Sequence, residues 1–573
     1  MRIKNFLFRN SRLHLKKKKR TGFRSNVTFA PRQVQTALSF LFVSGKLPQT
    51  TAESVIAFAM EVFSWLLVLS IILYYFWKRG RPKELPPGPQ PLPLFGNVFE
   101  VGFQKPLKYL QKLTKQYGPV FSLYAGRKPI IFIQDWRLAK EVLLTKGIEF
   151  AGRQNNPIID LIHKKKGIIM APYGQAWKEQ RRFSLMVLRN FGLGKKSMEE
   201  RILAEATYLI QAFTENMKAP FDPFCFTDRA VTNIISTMVF GKRFEYDDAT
   251  LRKVLDLLHL NLKLSTGPWA LLYNEVPLLR RLPLPHKTIL ENVQKVFAFF
   301  TKELDEHKAT FIPGEHRDFI DAYLDEMQKS EKKGLSFDDE NLLIVVSDLF
   351  IAGSETTART LQWGLLYMMV YPEIQEKCQQ EMDAVLGNNA CLKYEDRERL
   401  PYTNAVIHEI LRFSSVVPLG LAHAPIKDMM LSGYVIPKGT GVMINIHSIH
   451  HDESLWKSPN KFDPSNFLNE NGEFVKPEAF LAFSAGPRVC LGENLARMEL
   501  FLFFTSMLRN FQISWPDESS APDCAPQFGV TLSPLPFKVS LKQHQQKLIE
   551  QDARIQREVF PSPHPTDADK HVL

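Results

Sequence analysis

The 573 residues suffice for one large domain or for roughly two to four ordinary ones, and a composition of 45% hydrophobic and 23% charged residues is that of a globular protein with a real core. Residues 1–52 hold 12 Lys and Arg and no acid, so that the net charge of +13 leaves only +1 for the rest of the chain, which argues against nucleic acid as a partner. Five cysteines without a CxxC pair argue against a disulfide scaffold and a structural zinc site, and favour a reducing compartment.

The first predicted element is an apolar segment at residues 55–77, interrupted only by Glu61. It is long enough to cross a bilayer, and the basic cluster after it, from Lys78 to Lys83, places the following domain in the cytosol by the positive-inside rule. Because no A-x-A pattern precedes it, we expect a retained transmembrane anchor; the alternative is a cleaved signal.

Residues 1–54 form a basic N-terminal extension that favours the opposite orientation or resembles a transit peptide. One hypothesis removes the conflict. If translation begins at Met60, Glu61 becomes an acidic lumenal flank and the downstream basic cluster alone sets the topology.

Residues 78–90 are basic and rich in proline, which predicts a stiff hinge. The catalytic domain is expected at residues 91–541, followed by a polar, frayed tail at 542–573. Alternating runs predict a small sheet from residues 120–124 and 130–133, and a second hairpin from 434–445. Helical periodicity dominates elsewhere, for example after Pro372. The predicted fold is therefore mainly α with a small β region.

The strongest motif is FSAGPRVCLG at residues 483–492, which leads into an apolar helical pattern from Asn494. An anionic sulfur ligand needs a turn in which glycines let the backbone approach and a helix N-terminus that stabilises the thiolate. A buried structural cysteine is the alternative for Cys490. The complete loop resembles the haem-binding loop of the cytochrome P-450 superfamily, which implies haem b with Cys490 as the axial ligand.

A second motif is Glu409 and Arg412, three residues apart on one helix face. Such a pair is usually a surface ion pair, but in the family it is a buried lock near the haem. Many members complete it with an arginine from a later segment, and Asn466 stands there in this chain. We therefore expect a neutral hydrogen bond in place of a charged contact.

The third motif is AGSETT at residues 352–357, inside a long apolar helical run with a capping signal at residues 336–339. It resembles the family's acid–alcohol pair, in which Glu355 and Thr356 deliver protons to bound dioxygen. The alternative is that the Thr356 hydroxyl bonds back to the i−4 carbonyl while Glu355 is paired elsewhere.

Haem propionates need cations or hydrogen-bond donors. The resemblance implies further haem contacts from the chain before and within the cysteine loop, namely Arg153, Trp177, Arg181, His423, Phe483, Gly486, Arg488 and Gly492. It also implies an apolar substrate pocket lined by Phe350, Ile351, Ala352, Val417, Leu419, Leu421, Val530 and Leu532. Such a pocket suits a lipophilic substrate drawn from membrane lipid.

The resemblance is closest to the animal microsomal second family, and the segments at residues 401–409 and 499–505 look most like its fatty-acid branch. It implies a monooxygenase on the cytosolic face of the endoplasmic reticulum, with a mitochondrial location as the alternative. Since no flavin or dinucleotide motif is present, electrons are expected from NADPH-cytochrome P-450 reductase, with cytochrome b5 as a second donor. Two rival functions are an oxygen-independent haem-thiolate isomerase or dehydratase and a non-catalytic haem or lipid binder.

Overall fold

A computed structural model describes residues 49–544 except 79–81, 83, 93–94, 104, 193–195, 276, 332–335, 388–390 and 518. Residues 1–48 of the predicted extension (1–54) and residues 545–573 of the predicted tail (542–573) lie outside the described residues. The chain divides into two units, residues 1–75 and residues 76–573.

Helices account for most of the described chain. They are α1 (Gln49–Lys78), α2 (Val98–Phe103), α3 (Pro106–Tyr117), α4 (Trp136–Lys140), α5 (Pro157–His163), α6 (Gln175–Asn190), α7 (Lys196–Asn216), α8 (Phe224–Val239), α9 (Ala249–Ser265), α10 (Pro268–Glu275), α11 (Pro285–Thr310), α12 (Phe319–Glu331), α13 (Asp339–Val370), α14 (Pro372–Leu386), α15 (Pro401–Ser414), α16 (Ile446–His450) and α17 (Glu493–Asn510).

The strands are short and form small sheets. They are β1 (Val120–Ala125), β2 (Lys128–Ile133), β3 (Met429–Leu431), β4 (Tyr434–Ile436), β5 (Gly441–Ile444), β6 (Phe511–Ser514), β7 (Pro526–Gln527), β8 (Ser533–Pro534) and β9 (Ser540–Gln543). The mainly α prediction with a minor β region is confirmed.

Helix α1 contains a segment of 19 residues, Ile56–Tyr74, that is long and apolar enough to cross a membrane. None of this segment is buried within the structure. The helix begins at Gln49, before the predicted start at residue 55. Ser64 and Ser70 donate their hydroxyls to the carbonyls of Met60 and Leu66, so these polar side chains are satisfied within the helix. A segment of this kind is a candidate membrane anchor.

The first predicted sheet is confirmed, and the second predicted hairpin is wrong. Strands β1 and β2 pair antiparallel, but β4 pairs with β3, and β5 joins β2 in parallel. The turn containing Gly439, whose φ is +79°, separates β4 from β5. Val442 and Ile444 of β5 are buried beside β2, so burial decides the pairing where closeness in sequence suggested another partner.

Helix α13 is the long central element that positions the site. The Asp338 side chain caps it by accepting a hydrogen bond from the Asn341 N–H at 2.7 Å, and the helix ends at Val370, before Pro372. It packs against helices α8, α11, α15 and α17. The helix predicted after Pro372 is confirmed as α14, which ends at Gly387 with a φ of +65°.

Candidate functional site

The cysteine loop needs its first glycine for two independent reasons. Gly486 has a φ of +73°, and a Cβ atom on it would lie 1.8 Å from the Leu143 carbonyl oxygen. The Cys490 N–H donates to the Phe483 carbonyl at 3.0 Å and closes the loop just before helix α17. A Cβ atom on Gly492 would meet no protein atom within 4 Å, and the residue lines the same cavity as Cys490.

Cys490 opens onto an internal cavity of about 290 Å³. Its relative surface exposure is high, but that surface faces the cavity, and the residue lies deep in the protein. Burial raises the pKa of the Cys490 thiol, while a hydrogen bond from the Gly492 backbone and the charge of Arg181 oppose the rise. A bound cation or metal would complete the stabilisation of a thiolate here.

Most residues that the sequence assigned to the site reach the wall of this cavity. They are Arg153, Arg181, Ala352, Thr356, Val417, Leu421, His423, Phe483, Arg488, Cys490 and Gly492.

Three arginines in the wall lack an acidic partner. Arg488 donates to the carbonyls of three loop residues, Arg153 donates to two carbonyls, and Arg181 donates to the Val489 carbonyl at 2.6 Å. None of them lies within ion-pair distance of a carboxylate in the part of the chain that is described. Burial and the mutual repulsion of the three charges lower the pKa of Arg488 well below its usual range. A dianionic ligand would relieve this repulsion.

His423 lines the same wall as a neutral ring whose one N–H, on Nδ1, donates to the protein, so that its Nε2 can accept a hydrogen bond from the cavity but cannot donate one. Its Nδ1 lies 3.1 Å from the Phe150 carbonyl oxygen, which fixes the proton on Nδ1 in a ring whose pKa is lowered to about 3 by burial and by Arg153 and Arg488. Trp177 stacks under Arg488 at 4.1 Å, but its indole N–H donates to the Ile168 carbonyl. Trp177 therefore supports the arginine and does not itself reach the cavity.

The groups on the cavity wall can be compared with what a haem requires of its binding site. A haem has two propionates at one edge and an iron that requires one protein ligand, and the wall supplies buried unpaired arginines and a single cysteine sulfur. The donor set matches both needs.

Glu355 does not reach the cavity, contrary to expectation. Its carboxylate accepts hydrogen bonds from Arg359 at 3.1 Å and from Thr531 at 2.9 Å, on the helix face that packs against α8 and α9. Burial raises its pKa, but Arg359 and His259 outweigh this effect and hold the pKa at about 2. Thr356 is on the cavity wall, and its hydroxyl donates to the Ala352 carbonyl at 2.9 Å.

Five of the predicted pocket residues also lie outside the wall: Phe350, Ile351, Leu419, Val530 and Leu532. Phe350 is fully buried in an aromatic cluster, 5.7 Å from Phe240 and 5.3 Å from Phe300 between ring centroids. Leu532 is held by a hydrogen bond from its N–H to the Val416 carbonyl. Ile351 packs against the main core, and Leu419 packs against a smaller core around β1 and β2. Phe350 and Ile351 lie on faces of α13 that pack into the core, away from the face that carries Ala352 and Thr356 to the cavity.

The Glu409–Arg412 lock is fully buried. Arg412 donates to both carboxylate oxygens, at 2.7 and 2.6 Å, and to the carbonyls of the segment 458–461. Asn466 donates to Glu409 at 3.2 Å, the neutral hydrogen bond that its chemistry predicts. The Asp463 backbone N–H donates to the same oxygen at 2.8 Å.

Sequence reasoning missed several residues of the site. Asp348 accepts hydrogen bonds from the N–H groups of Ile168 and Ile169, at 2.7 and 3.0 Å, and ties the loop before α6 to α13. The cavity wall includes all three residues. An acid within the apolar run of α13 was the available signal. Its loop partners, 180 positions away, could not be read from spacing.

The model of the family described as "Cytochrome P450" matches residues 86–541. The human protein cytochrome P450 2J2 is 45% identical over 466 residues, which cover 81% of this chain and 92% of that protein. Cytochrome P450 2J1 of Oryctolagus cuniculus is 44% identical, over 82% of this chain and 94% of its own length. Human cytochrome P450 2D6 is 42% identical, over 85% and 98%. The chain belongs to the cytochrome P450 family, as a monooxygenase whose relatives bind haem iron through a cysteine thiolate.

Proposed function

We propose that this haem monooxygenase inserts one oxygen atom from dioxygen into a lipophilic substrate and that Cys490 is its axial ligand. The observation that carries the proposal is the placement of Cys490 in one cavity with three arginines that have no acidic partner among the described residues. A structural cysteine would need neither the cavity nor the cations.

Haem supplies the redox chemistry when it is bound, and the protein supplies position and protons. We assign the propionates to Arg153, Arg181 and Arg488, which lie on the cavity wall close enough for the first two to lower the pKa of Arg488. His423, which the resemblance also implies as a haem contact, borders the same wall but needs a second proton before it can donate to a propionate. Phe483 adds an apolar contact beside the loop, and its ring stacks with Arg497 at 4.8 Å. Gly486 shapes the loop, and the Gly492 backbone donates to the sulfur.

Thr356 is the proposed proton-handling residue of the wall. A hydroxyl can accept a proton from one side and donate on the other, and Thr356 presents this group to the cavity from α13. Its hydroxyl hydrogen is donated to the Ala352 carbonyl at 2.9 Å, which leaves the oxygen able to accept a hydrogen bond. Glu355, being anionic and turned to the other face, would have to exchange partners before it could help.

The substrate pocket is proposed to be apolar and formed in part by Ala352, Val417 and Leu421. Ile235 and Leu349 line the same cavity, and we propose that they extend this pocket. A wall of this kind binds a fatty acid, steroid or xenobiotic mainly by burial of apolar surface. The fatty-acid branch suggested by the sequence stays a prediction.

Electrons are proposed to come from NADPH-cytochrome P-450 reductase, with cytochrome b5 as a second donor. Lys178 and Arg182 are exposed on α6, the helix that carries Arg181 towards the cysteine loop. Their charges suit an acidic partner surface and would mainly set the encounter rate. With the candidate anchor in α1, we place the enzyme on the endoplasmic reticulum membrane with its catalytic domain in the cytosol.

The first test is the absorption spectrum of the reduced, carbon-monoxide-bound protein. We expect a strongly red-shifted Soret band in the wild type and its loss in Cys490→Ala, because only thiolate ligation gives that shift. Cys391→Ala, which removes an exposed cysteine, is the matched control and should leave the band unchanged. An identical band in Cys490→Ala would reject the ligand assignment.

The second test separates the rival functions. The protein, reconstituted with reductase in lipid vesicles, is given dodecanoic acid as a probe, and NADPH use and hydroxylated product are measured. A monooxygenase consumes NADPH and dioxygen with product. Conversion of a lipid hydroperoxide without reductase would support the isomerase or dehydratase, and a normal haem spectrum without NADPH use across a panel of fatty acids, steroids and xenobiotics would support the non-catalytic binder.

A further inference from the structure

Glu355 belongs to a buried ion network of four side chains that joins helices α8, α9 and α13. Arg359 lies between Glu355, at 3.1 Å, and Asp228, at 3.3 Å. His259 of α9 places Nε2 at 2.8 Å from Glu355 Oε2. The His259 side chain is 29% exposed, whereas those of Glu355 and Arg359 are 8% and 6% exposed. The network therefore reaches solvent at His259 and ends at the residue next to Thr356.

One proton in this network can be held either by His259 or by Glu355. His259 Nε2 is 2.8 Å from Glu355 Oε2 and 2.7 Å from Arg359 Nη2. If the ring is a cation, Nε2–H donates to Glu355. If the ring is neutral at Nε2, that nitrogen accepts from Arg359 at 2.7 Å and the proton can reside on Glu355 Oε2, which makes no hydrogen bond to any described residue although Nε2 lies 2.8 Å away. The cationic ring requires Arg359 Nη2 and His259 Nε2, which then both carry protons, to move apart from 2.7 Å, so the two arrangements differ in which neighbour shares Nε2.

The charges around His259 favour uptake of a proton from solvent. Asp228 faces it from α8, and Glu355 and Arg359 face it from α13. Helix α11 packs on another side of α9, where Asn292 of α11 donates a hydrogen bond to Asn261 of α9, and neither side chain is charged. Burial lowers the pKa of His259, but the hydrogen bond with Glu355 and the two carboxylate charges outweigh burial and raise it. The cation balances the network, which otherwise carries one excess negative charge.

We propose that His259 is the port through which protons from solvent reach Glu355 and, from there, the Thr356 side of helix α13. His259 touches neither haem nor substrate and acts through Glu355, so it is a positioning residue for proton delivery. The inference rests on the proposed monooxygenase function. It explains how the Glu355 carboxylate, which is turned away from the cavity, can still deliver protons to the reaction inside it.

The transfer balances within the pair. The Nε2–H bond of the His259 cation breaks and an O–H bond forms at Oε2, so that both groups become neutral. A neutral Glu355 loses its ion pair with Arg359, which frees the carboxyl to rotate towards the Thr356 face and release its proton there. Glu355 returns to Arg359 as an anion, and His259 takes the next proton from water.

The decisive experiment compares wild type with His259→Gln in full-length protein reconstituted with reductase, using dodecanoic acid between pH 6 and 8.5. We expect the product formed per NADPH in wild type to fall as the pH rises past the pKa of His259. In His259→Gln this yield should be about tenfold lower at pH 6.5, a part of the roughly 10²–10⁴-fold that acid catalysis contributes. It should also be nearly independent of pH, with KM unchanged.

His316→Gln is the matched control, because His316 is a part-exposed histidine that pairs with Asp325 at 3.0 Å outside this network. It should behave as wild type. A yield and pH profile in His259→Gln equal to those of wild type would overturn the proposal.

A second readout does not depend on turnover. The infrared carboxyl signal that disappears in Glu355→Gln should change its pH dependence in His259→Gln, since the two groups share a proton. An unchanged carboxyl titration rejects the shared proton. If instead wild type uses no NADPH with any substrate while the infrared signals are coupled, the proposed function fails and the proton exchange stands.

Discussion

Arg412 donates two hydrogen bonds to the carboxylate of Glu409, at 2.7 and 2.6 Å, and neither side chain has any exposure to solvent. The guanidinium also reaches the carbonyls of Pro459 and Lys461. One residue of helix α15 thus holds the backbone of a loop that leads towards the cysteine segment. Asn466, on that loop, completes the contact without charge.

Glu409→Gln should destabilise the catalytic domain by about 3–5 kcal/mol, because Arg412 would be left buried without its counter-charge. We expect a lower urea midpoint for loss of the red-shifted carbon-monoxide band and a lower yield of haem-loaded protein. Asn466→Ala removes one neutral hydrogen bond and should cost only about 1 kcal/mol.

Glu200→Gln is the control for the lock. Glu200 lies 4.0 Å from Lys196 on an exposed turn of helix α7, where an ion pair contributes about 0–1 kcal/mol. The urea midpoint should not move measurably. If Glu409→Gln were as stable as Glu200→Gln, the buried pair would not be a structural lock.

Thr356→Ala should retain haem and bind substrate but convert most NADPH into peroxide. If Thr356 handles protons, we expect product formation to fall by roughly 10²-fold, at the lower end of general acid catalysis. Product, peroxide and NADPH are measured in the same assay. The Soret band of the carbon-monoxide complex reports that the haem site is intact.

Thr360→Ala provides a closely matched comparison. Thr360 also borders the cavity, and its hydroxyl donates to the Thr356 carbonyl at 2.8 Å, as that of Thr356 does to Ala352 at 2.9 Å. Loss of a helix-backbone hydrogen bond is therefore common to both variants. Equal uncoupling in the two would assign the effect to the helix and not to the Thr356 hydroxyl.

Arg181→Ala should weaken haem retention. Within the described part of the chain its guanidinium makes one hydrogen bond, to the Val489 carbonyl of the cysteine loop, so most of its donors remain for a propionate. A hydrogen bond to a charged group contributes about 1.5–3 kcal/mol, which corresponds to at least a tenfold faster loss of haem to apomyoglobin. Arg189→Ala, at an exposed position of the same helix, should not change the rate.

The sequence predicts elements wherever local periodicity coincides with burial. Helix α14 follows from its apolar face and from Gly387, and the cysteine loop follows from a motif whose glycine is sterically required. The hairpin predicted at residues 434–445 is wrong because β5 joins a strand some 300 positions earlier in the chain. Parallel pairing between strands so far apart in the chain cannot be inferred from the local pattern of apolar and polar residues.

The orientation of Glu355 shows a different limit. Ala352, Thr356 and Thr360 recur at helical spacing on the cavity face, whereas Glu355 and Arg359 recur at the same spacing on another face. The pairing of Glu355 with Arg359 could be predicted from the sequence, because residues four apart on a helix are neighbours on its surface. The approach of His259 from helix α9 could not, because it depends on how two helices pack.

The last prediction concerns pH and a histidine far from the proposed reaction. His307 of α11 places Nε2 at 2.8 Å from Asp318 Oδ2 and Nδ1 at 2.7 Å from the Glu303 carbonyl. Both ring nitrogens therefore have acceptors, which only the doubly protonated ring can satisfy. Burial lowers the pKa of His307, and the hydrogen bond and charge of Asp318 outweigh burial and raise it.

A histidine with a raised pKa in the folded state contributes stability that is fully present below its unfolded pKa of about 6.5 and is lost as the pH rises through the folded pKa. We therefore expect the urea midpoint of the protein to fall between pH 6 and 8.5, and to fall less in His307→Asn. His307, Asp318 and Asp321 are also close enough to hold a metal ion, but Arg317 occupies the Asp321 carboxylate. A chelator should leave the urea midpoints of both proteins unchanged. A midpoint that shifts when a chelator is added would indicate a bound metal ion in place of the protonated His307–Asp318 pair.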